Sequence, residues 1–158
     1  MAASAVNTAD LYDERGEELD SVALQFQSFG GNTHFSGLVR TIRCFEDNAL
    51  VKSTLATPGD GAVLVVDGAG SLRTALMGDL IAASAVANGW AGVVINGAIR
   101  DRTAIAGLPL GVKALGSNPR KSAKAGAGET DVDLEIDGVA FRPGAMIWCD
   151  PDGILIER

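Results

Sequence analysis

Apolar and polar positions fall into short blocks along the chain. Thr8 can cap a helix over residues 9–15, with Asp10, Asp13 and Glu14 at the end where helix N–H groups favour negative charge. Residues 21–26 fit a short strand, Gly30-Gly31-Asn32 a turn, and residues 35–44 alternate well enough for a longer strand. Asp47 can cap a helix running through Thr54, closed by Pro58-Gly59. The unbroken apolar run 62–66 predicts a strand covered on both faces. Residues 77–88 fit a helix stopped by Gly89, and Ala82, Ala83, Ala85 and Ala87 let it lie close to a sheet. Residues 91–95 predict another buried strand, a short helix follows Arg100, and residues 111–115 predict a third strand. This alternation calls for a right-handed parallel crossover unit.

The pattern changes after Gly116. SNPRKSAKAGAGE is a long polar loop, and residues 132–136, 139–141, 145–149 and 154–156 then read as short strands. Asp137-Gly138, Pro143-Gly144 and Asp152-Gly153 are the turns between them. The expected architecture is α/β, a parallel strand–helix–strand unit plus antiparallel C-terminal strands, in a single domain over residues 1–158.

Composition narrows the functional classes. The chain has 158 residues, 47% of them apolar, enough for a core that folds alone. It holds no apolar run long enough for a membrane helix, and its acidic N-terminal stretch does not read as a signal peptide. A cytoplasmic protein with Cys44 and Cys149 as packed, reduced thiols is expected. The net charge of −7 argues against direct nucleic-acid binding, which needs a basic face. Six of the thirteen basic residues lie between Arg100 and Lys124, and an anionic ligand is sought there.

Two segments could carry chemistry. VLVVDGAGS resembles the strand and turn that open many S-adenosylmethionine sites, where glycines admit a cofactor close to the backbone. That reading requires an acid at the end of the next strand to take ribose hydroxyls, and AGVVING ends in Asn96-Gly97 instead. Gly68 and Gly70 are therefore read as a structural turn. The second segment, Gly78, Asp79, Leu80 and Ile81, lies at the start of the alanine-rich helix. Free backbone N–H groups there suit a carboxylate. The following strand delivers Arg100-Asp101 at its carboxyl end, where open α/β sheets bind ligands. A guanidinium can bind a carboxylate or ketone oxygen through two parallel hydrogen bonds. Asp101 offers hard oxygen to Mg²⁺ or Mn²⁺, which could stabilise charge on the ketone oxygen of a 2-oxo acid as a carbon–carbon bond breaks. The same spacing also fits a surface Arg–Asp pair that holds no ligand.

GDLIAASAVANGWAGVVINGAIRD, with GLPLGVKALGSNPRKS and RPGAMIWCDPDGILI, resembles the regulator-of-ribonuclease-activity-A family, whose members include 4-hydroxy-4-methyl-2-oxoglutarate aldolases. The resemblance runs from about Asp10 to the end of the chain. Its most specific element is an aspartate, twenty intervening residues and Arg-Asp, matched without a gap by Asp79, Arg100 and Asp101. It implies a class II aldolase that uses a divalent metal rather than a lysine Schiff base. Such an enzyme splits 4-hydroxy-4-methyl-2-oxoglutarate into two pyruvates and decarboxylates oxaloacetate as a side activity. By position, Gly78, Asp79, Leu80, Ile81 and Arg100 hold substrate, Asp101 holds the metal, and Asp79 orients a water; Asp79, Arg100 and Asp101 are the catalytic set. The implied fold is a swivelling β/β/α domain assembled as a homotrimer with active sites between subunits. The family name implies a different role as well, a protein that binds and inhibits an endoribonuclease.

Other residues have plainer readings. His34 is a hydrogen-bonded loop histidine, and Trp90 and Trp148 are packing residues. Arg120, Lys121 and Lys124 could hold a distal carboxylate, but a solvated basic loop or subunit contact is the simpler reading. Asp67 and Arg73 lie near the proposed pocket in sequence without an assigned role. Glu14, Glu17 and Glu18 match too loosely to name a general base.

Overall fold

The structure is a computed structural model that describes residues 5–158; the first four residues of the acidic N-terminal stretch lie outside it. Helix α1 spans Thr8–Arg15 and passes through a 3₁₀ turn, Gly16–Glu18, into strand β1, Leu19–Ser21. Strand β2 is Gln27–Ser28 and β3 is Phe35–Arg43, followed by α2, Ala49–Leu55. Then come β4 (Val63–Asp67), β5 (Ala75–Met77), α3 (Asp79–Ala87), β6 (Gly92–Ile99), α4 (Arg102–Ala106) and β7 (Gly111–Ser117). The C-terminal part holds β8 (Glu129–Thr130), β9 (Leu134–Ile136), β10 (Val139–Phe141), β11 (Met146–Asp150) and β12 (Gly153–Glu157).

The central strands β3, β4, β6 and β7 run parallel, with Val39 opposite Val63, Val63 opposite Gly92 and Gly92 opposite Gly111. The sheet continues antiparallel beyond β3 through β11 and β12 to β1, and beyond β7 to β2. Alternate residues of β4 and β6 point to opposite faces, so each fills a different core. Leu64, Val66, Val93 and Ile95 pack with Val51 and Leu55 of α2, Ala82 and Ala85 of α3, and Ile105 of α4. Val63, Val65 and Val94 pack on the other side with Leu134, Phe141, Ile147, Cys149 and Ile156. The outer strands therefore curl over the face the helices leave bare. This is the β/β/α layering that the family resemblance implied, and the apolar runs are buried on both sides as their pattern predicts.

Several local expectations need correction. Thr8 is not the cap of α1: the Asn7 side chain accepts the Ala9 N–H (3.0 Å), and Thr8 sits inside the helix bonding to Asp150. The strand expected at residues 21–26 instead occupies Leu19–Ser21, because its partner is the distant β12. Met77 is not helical but ends β5, which pairs in parallel with β6. Strand β6 runs four residues beyond its expected end, through Asn96 and Gly97 to Ile99, with a register shift after Ile95. Asp47 does accept the Ala49 N–H at the start of α2 (3.1 Å), although Asn48 occupies the cap position. No helix among the described residues is long and apolar enough to cross a membrane.

Candidate active site

Parallel pairing of β5 with β6 puts Met77 beside Ile99, so the residues that follow each strand emerge together. The Arg100 backbone N–H donates to the Met77 carbonyl (3.0 Å) and closes the gap between the two segments. After Met77 the chain turns at Gly78 and enters α3 at Asp79. After Ile99 it reaches Arg100 and then Asp101, which adopts the left-handed region (φ 58°, ψ 40°). Aspartate is among the few residues that visit this region, at a cost of about 1 kcal/mol. The turn sends the Asp101 carboxylate back toward α3: Oδ2 accepts the Asp79 N–H (3.1 Å) and lies 3.9 Å from Arg100 Nε. The rest of the Arg100 fork has one weak tie, from Nη1 to the Pro119 carbonyl (3.4 Å).

These groups line a cavity of about 360 Å³ containing Gly78, Asp79, Leu80, Ile81, Arg100 and Asp101. All six residues expected from sequence are brought together. One detail differs. The first helix N–H, expected to be free for a ligand, is taken by Asp101, a negative group well placed at a helix N-terminus. The first intrahelical bond is Ala82 N–H to the Gly78 carbonyl (3.0 Å), so Leu80 and Ile81 have the remaining first-turn N–H groups.

The cavity also has a wall that the spacing did not disclose: Asn48 and Lys52 from the start of α2, Ser84 from α3, and Lys121 and Lys124 from the long polar loop. Lys121 and Lys124 are exposed, as a solvated basic loop would have them, and also line the cavity, whereas Arg120 is not among the lining residues. Bridges from Ala75 to Lys121 and from Asp47 to Ala123 lay that loop across the sheet edge. Lys124 Nζ donates to Asn48 Oδ1 (3.2 Å). The only sequence signal was the cluster of basic residues, which does not say where the loop docks. Four cationic side chains, Lys52, Arg100, Lys121 and Lys124, face two carboxylates, Asp79 and Asp101. In a chain of net charge −7 this is a local reversal of sign, and it suits an anion.

Other recesses offer less. One, about 540 Å³, holds Arg15 paired with Glu18 and Glu157. Another, about 400 Å³, includes exposed His34, whose Nδ1 lies 3.2 Å from Thr33 Oγ1, and sits at the opposite end of the parallel strands. Burial draws the Lys113 ammonium below the usual lysine range against the opposing pull of Cys149 and Asp150. That lysine alternates with the helix-facing Val112 and Ala114 on β7 and is outside the cavity, so it does not supply an amine to the site. Asp67 and Arg73 are likewise outside: Asp67 Oδ1 accepts from Ala69 N–H and the Asn96 amide, and Arg73 pairs with Glu46. The glycine turn after β4 is used up internally, since the N–H groups of Gly68 and Gly70 both donate to the Asn96 carbonyl.

The family model for RraA-like proteins (Aldolase/RraA) matches residues 8–156. The chain belongs to this family. Two solved structures are similar over nearly the whole of both chains. An S-adenosylmethionine:2-dimethylmenaquinone methyltransferase from Geobacillus kaustophilus is 49% identical, with TM-score 0.95, covering 96% of this chain and 94% of that one. The RNA-processing inhibitor RraA from Thermus thermophilis is 48% identical, with TM-score 0.93, covering 99% and 93%. A Streptomyces coelicolor protein, described as an unusual member of the RNase ES inhibitor RraA family, is 27% identical with TM-score 0.76, covering 96% and 79%. The first two differ in stated activity at nearly equal similarity to this RraA-like chain. Overall likeness therefore does not select an activity, and the geometry of the cavity must.

Proposed function

We propose that this RraA-like protein is a divalent-metal-dependent lyase that splits 4-hydroxy-4-methyl-2-oxoglutarate into two pyruvates, with oxaloacetate decarboxylation as a secondary activity. The observation that carries the reading is the cationic cavity in which Arg100 and Asp101 stand beside the first turn of α3. Arg100 and the Leu80 and Ile81 N–H groups bind the 2-oxo carboxylate end. Lys52, Lys121 and Lys124 face the second carboxylate of the diacid. The Asp79 carboxylate orients a water.

The donor set fits a hard ion that keeps most of its waters. Among the described residues no group of three or more His, Cys, Asp or Glu side chains is placed to cage a metal. Asp101 Oδ2 receives the Asp79 N–H, and Oδ1 receives no protein donor among the described residues, leaving one hard oxygen for Mg²⁺ or Mn²⁺. When bound, the ion supplies positive charge that polarises the 2-oxo group. Arg100 adds a second positive group at the same end, and Gly78 keeps the backbone close enough for both. The assembly is proposed to be a homotrimer, in which a neighbouring subunit covers Leu80, 82% exposed at the cavity mouth.

A coupled pyruvate assay over a panel of 2-oxo diacids tests the reading. Pyruvate release is expected with Mg²⁺ or Mn²⁺ and not with EDTA. Arg100→Ala should lower kcat/KM about a hundredfold, about 2.7 kcal/mol of transition-state stabilisation. Undiminished turnover in Asp101→Ala overturns the metal role.

The 48% identity to a protein named as an RNA-processing inhibitor supports a second reading, a protein that binds and regulates an endoribonuclease. The two roles use separate surfaces and are compatible.

A further inference from the structure

Asp47 is an acidic residue that no step above uses. It is 3% exposed, yet no basic side chain pairs with it among the described residues. Its carboxylate instead accepts four backbone N–H groups: Ala49 and Gly126 on Oδ1 (3.1 and 3.2 Å), Ala125 and Ala127 on Oδ2 (2.9 and 3.4 Å). Burial alone would raise its pKa, but the four donors outweigh burial and hold it below the ordinary aspartate value. One donor starts α2; the other three follow Lys124 directly. Further ties run beside it, from Asn48 N–H to the Ala123 carbonyl (3.0 Å) and from Ala123 N–H to the Glu46 carbonyl (2.9 Å).

We propose that Asp47 is a positioning residue for substrate choice: it clamps the loop carrying Lys121 and Lys124 onto the start of α2 and so sets the preference for 2-oxo acids with a second carboxylate. This rests on the reading of the cavity as a 2-oxo acid site. The physical reason lies in the lysines themselves. A lysine is a point charge on a flexible stem, and its attraction for a carboxylate weakens with distance and with access of water. A loop held only by its own glycines would spread the two ammonium groups over many positions. The clamp holds Lys124 within reach of Asn48, on the wall facing Arg100 and Asp101. An asparagine has the same shape but offers one acceptor oxygen and an NH₂ group that faces N–H donors.

The test uses the full chain with Mg²⁺, comparing a dianion, the hydroxy-oxo diacid, with a monoanion, pyruvate, as a competitive ligand. Asp47→Asn should raise KM for the diacid about five- to tenfold, with kcat and the pyruvate inhibition constant changed less than about twofold. Lys124→Met should give the same split, and the double variant should be no worse than the more severe single one, because both remove one interaction. Asp47→Glu keeps the charge but pushes the loop out by one methylene, and should shift the ratio the same way with the fold intact. An unchanged diacid-to-pyruvate ratio, equal losses for both ligands, or multiplying effects in the double variant overturns the role of Asp47. A wild-type protein that neither cleaves the diacid nor binds it in preference to pyruvate overturns the cavity reading itself.

Discussion

At Gly78 the backbone is extended (φ −116°, ψ −169°), a conformation open to any residue, so glycine is not there for its dihedral freedom. A methyl group added to it would stand 2.8 Å from Asp101 Oδ2 and 3.3 Å from Arg100 Nε. Both contacts are with side chains at the mouth of a cavity, which can move outward. Gly78→Ala should therefore leave Tm nearly unchanged while displacing the carboxylate and guanidinium; a misplacement of this size lowers kcat/KM on the order of tenfold to a hundredfold. A variant with wild-type kinetics would show that the two side chains need not touch this strand end. The residues at this point were legible because Asp79 and Arg100-Asp101 match the pattern of the family the chain resembles; their spacing alone also fits a surface pair that holds no ligand. The capture of the Asp79 N–H by Asp101 was not, since it follows from the left-handed turn at Asp101 rather than from residue type.

At the scale of elements, the parts are tied together by buried carboxylates. Asp150 at the end of β11 accepts the Thr8 N–H and the Thr8 hydroxyl (both 2.7 Å), and the Asp152 and Gly153 N–H groups, joining α1 to the C-terminal hairpin. Burial pushes its pKa up, but these donors prevail and hold it below the ordinary aspartate value of 3.8. A depressed folded-state pKa stabilises the fold above the unfolded value, and that contribution is lost as pH falls through the folded value. Asp47 acts with the same sign in the same range. Wild-type Tm should thus drop as pH falls below about 3.8, and Asp150→Asn should flatten that acid limb. At neutral pH the same variant should cost about 2 kcal/mol, about 4–8 °C in Tm. Thermal melts from pH 7 to pH 2.5 decide it; an acid limb of unaltered slope would assign the acid sensitivity elsewhere. Reading residues 9–15 as a helix needed only their polarity, whereas its cap depends on Asp150, which withdraws Thr8 from the role.

For the whole molecule, charge is divided by location: net −7 overall, yet cationic within the cavity. An anionic substrate and a basic protein partner would accordingly use different surfaces. If the chain regulates an endoribonuclease, binding should survive Asp101→Ala and weaken about tenfold between low salt and several hundred millimolar, as screened charge pairs do. Titration calorimetry with the purified nuclease measures this, and absence of any complex at low salt removes the second reading. The parallel unit with an antiparallel C-terminal part was readable at this scale because buried strands show as unbroken apolar runs.

What the sequence by itself determined is local: the strands VLVV and GVVI, the alanine-rich helix, the glycine turns, and the Asp79, Arg100 and Asp101 pattern. The strands, helix and turns depend on neighbours a few residues away, so periodicity and residue chemistry reveal them; the longer Asp79 to Arg100-Asp101 spacing shows through the family resemblance. Tertiary structure alone decided that Ala75–Met77 is a strand, since three residues of helix-compatible composition become one only by pairing with β6. It also decided that Lys52, Lys121 and Lys124 share a cavity with Arg100. Those residues lie far apart in the chain: β5–β6 pairing places Arg100, and the loop of Lys121 and Lys124 is held to the start of α2 by backbone hydrogen bonds, four of them to one buried carboxylate. Backbone donors are alike at every residue, so no side-chain pattern announces which of them will meet.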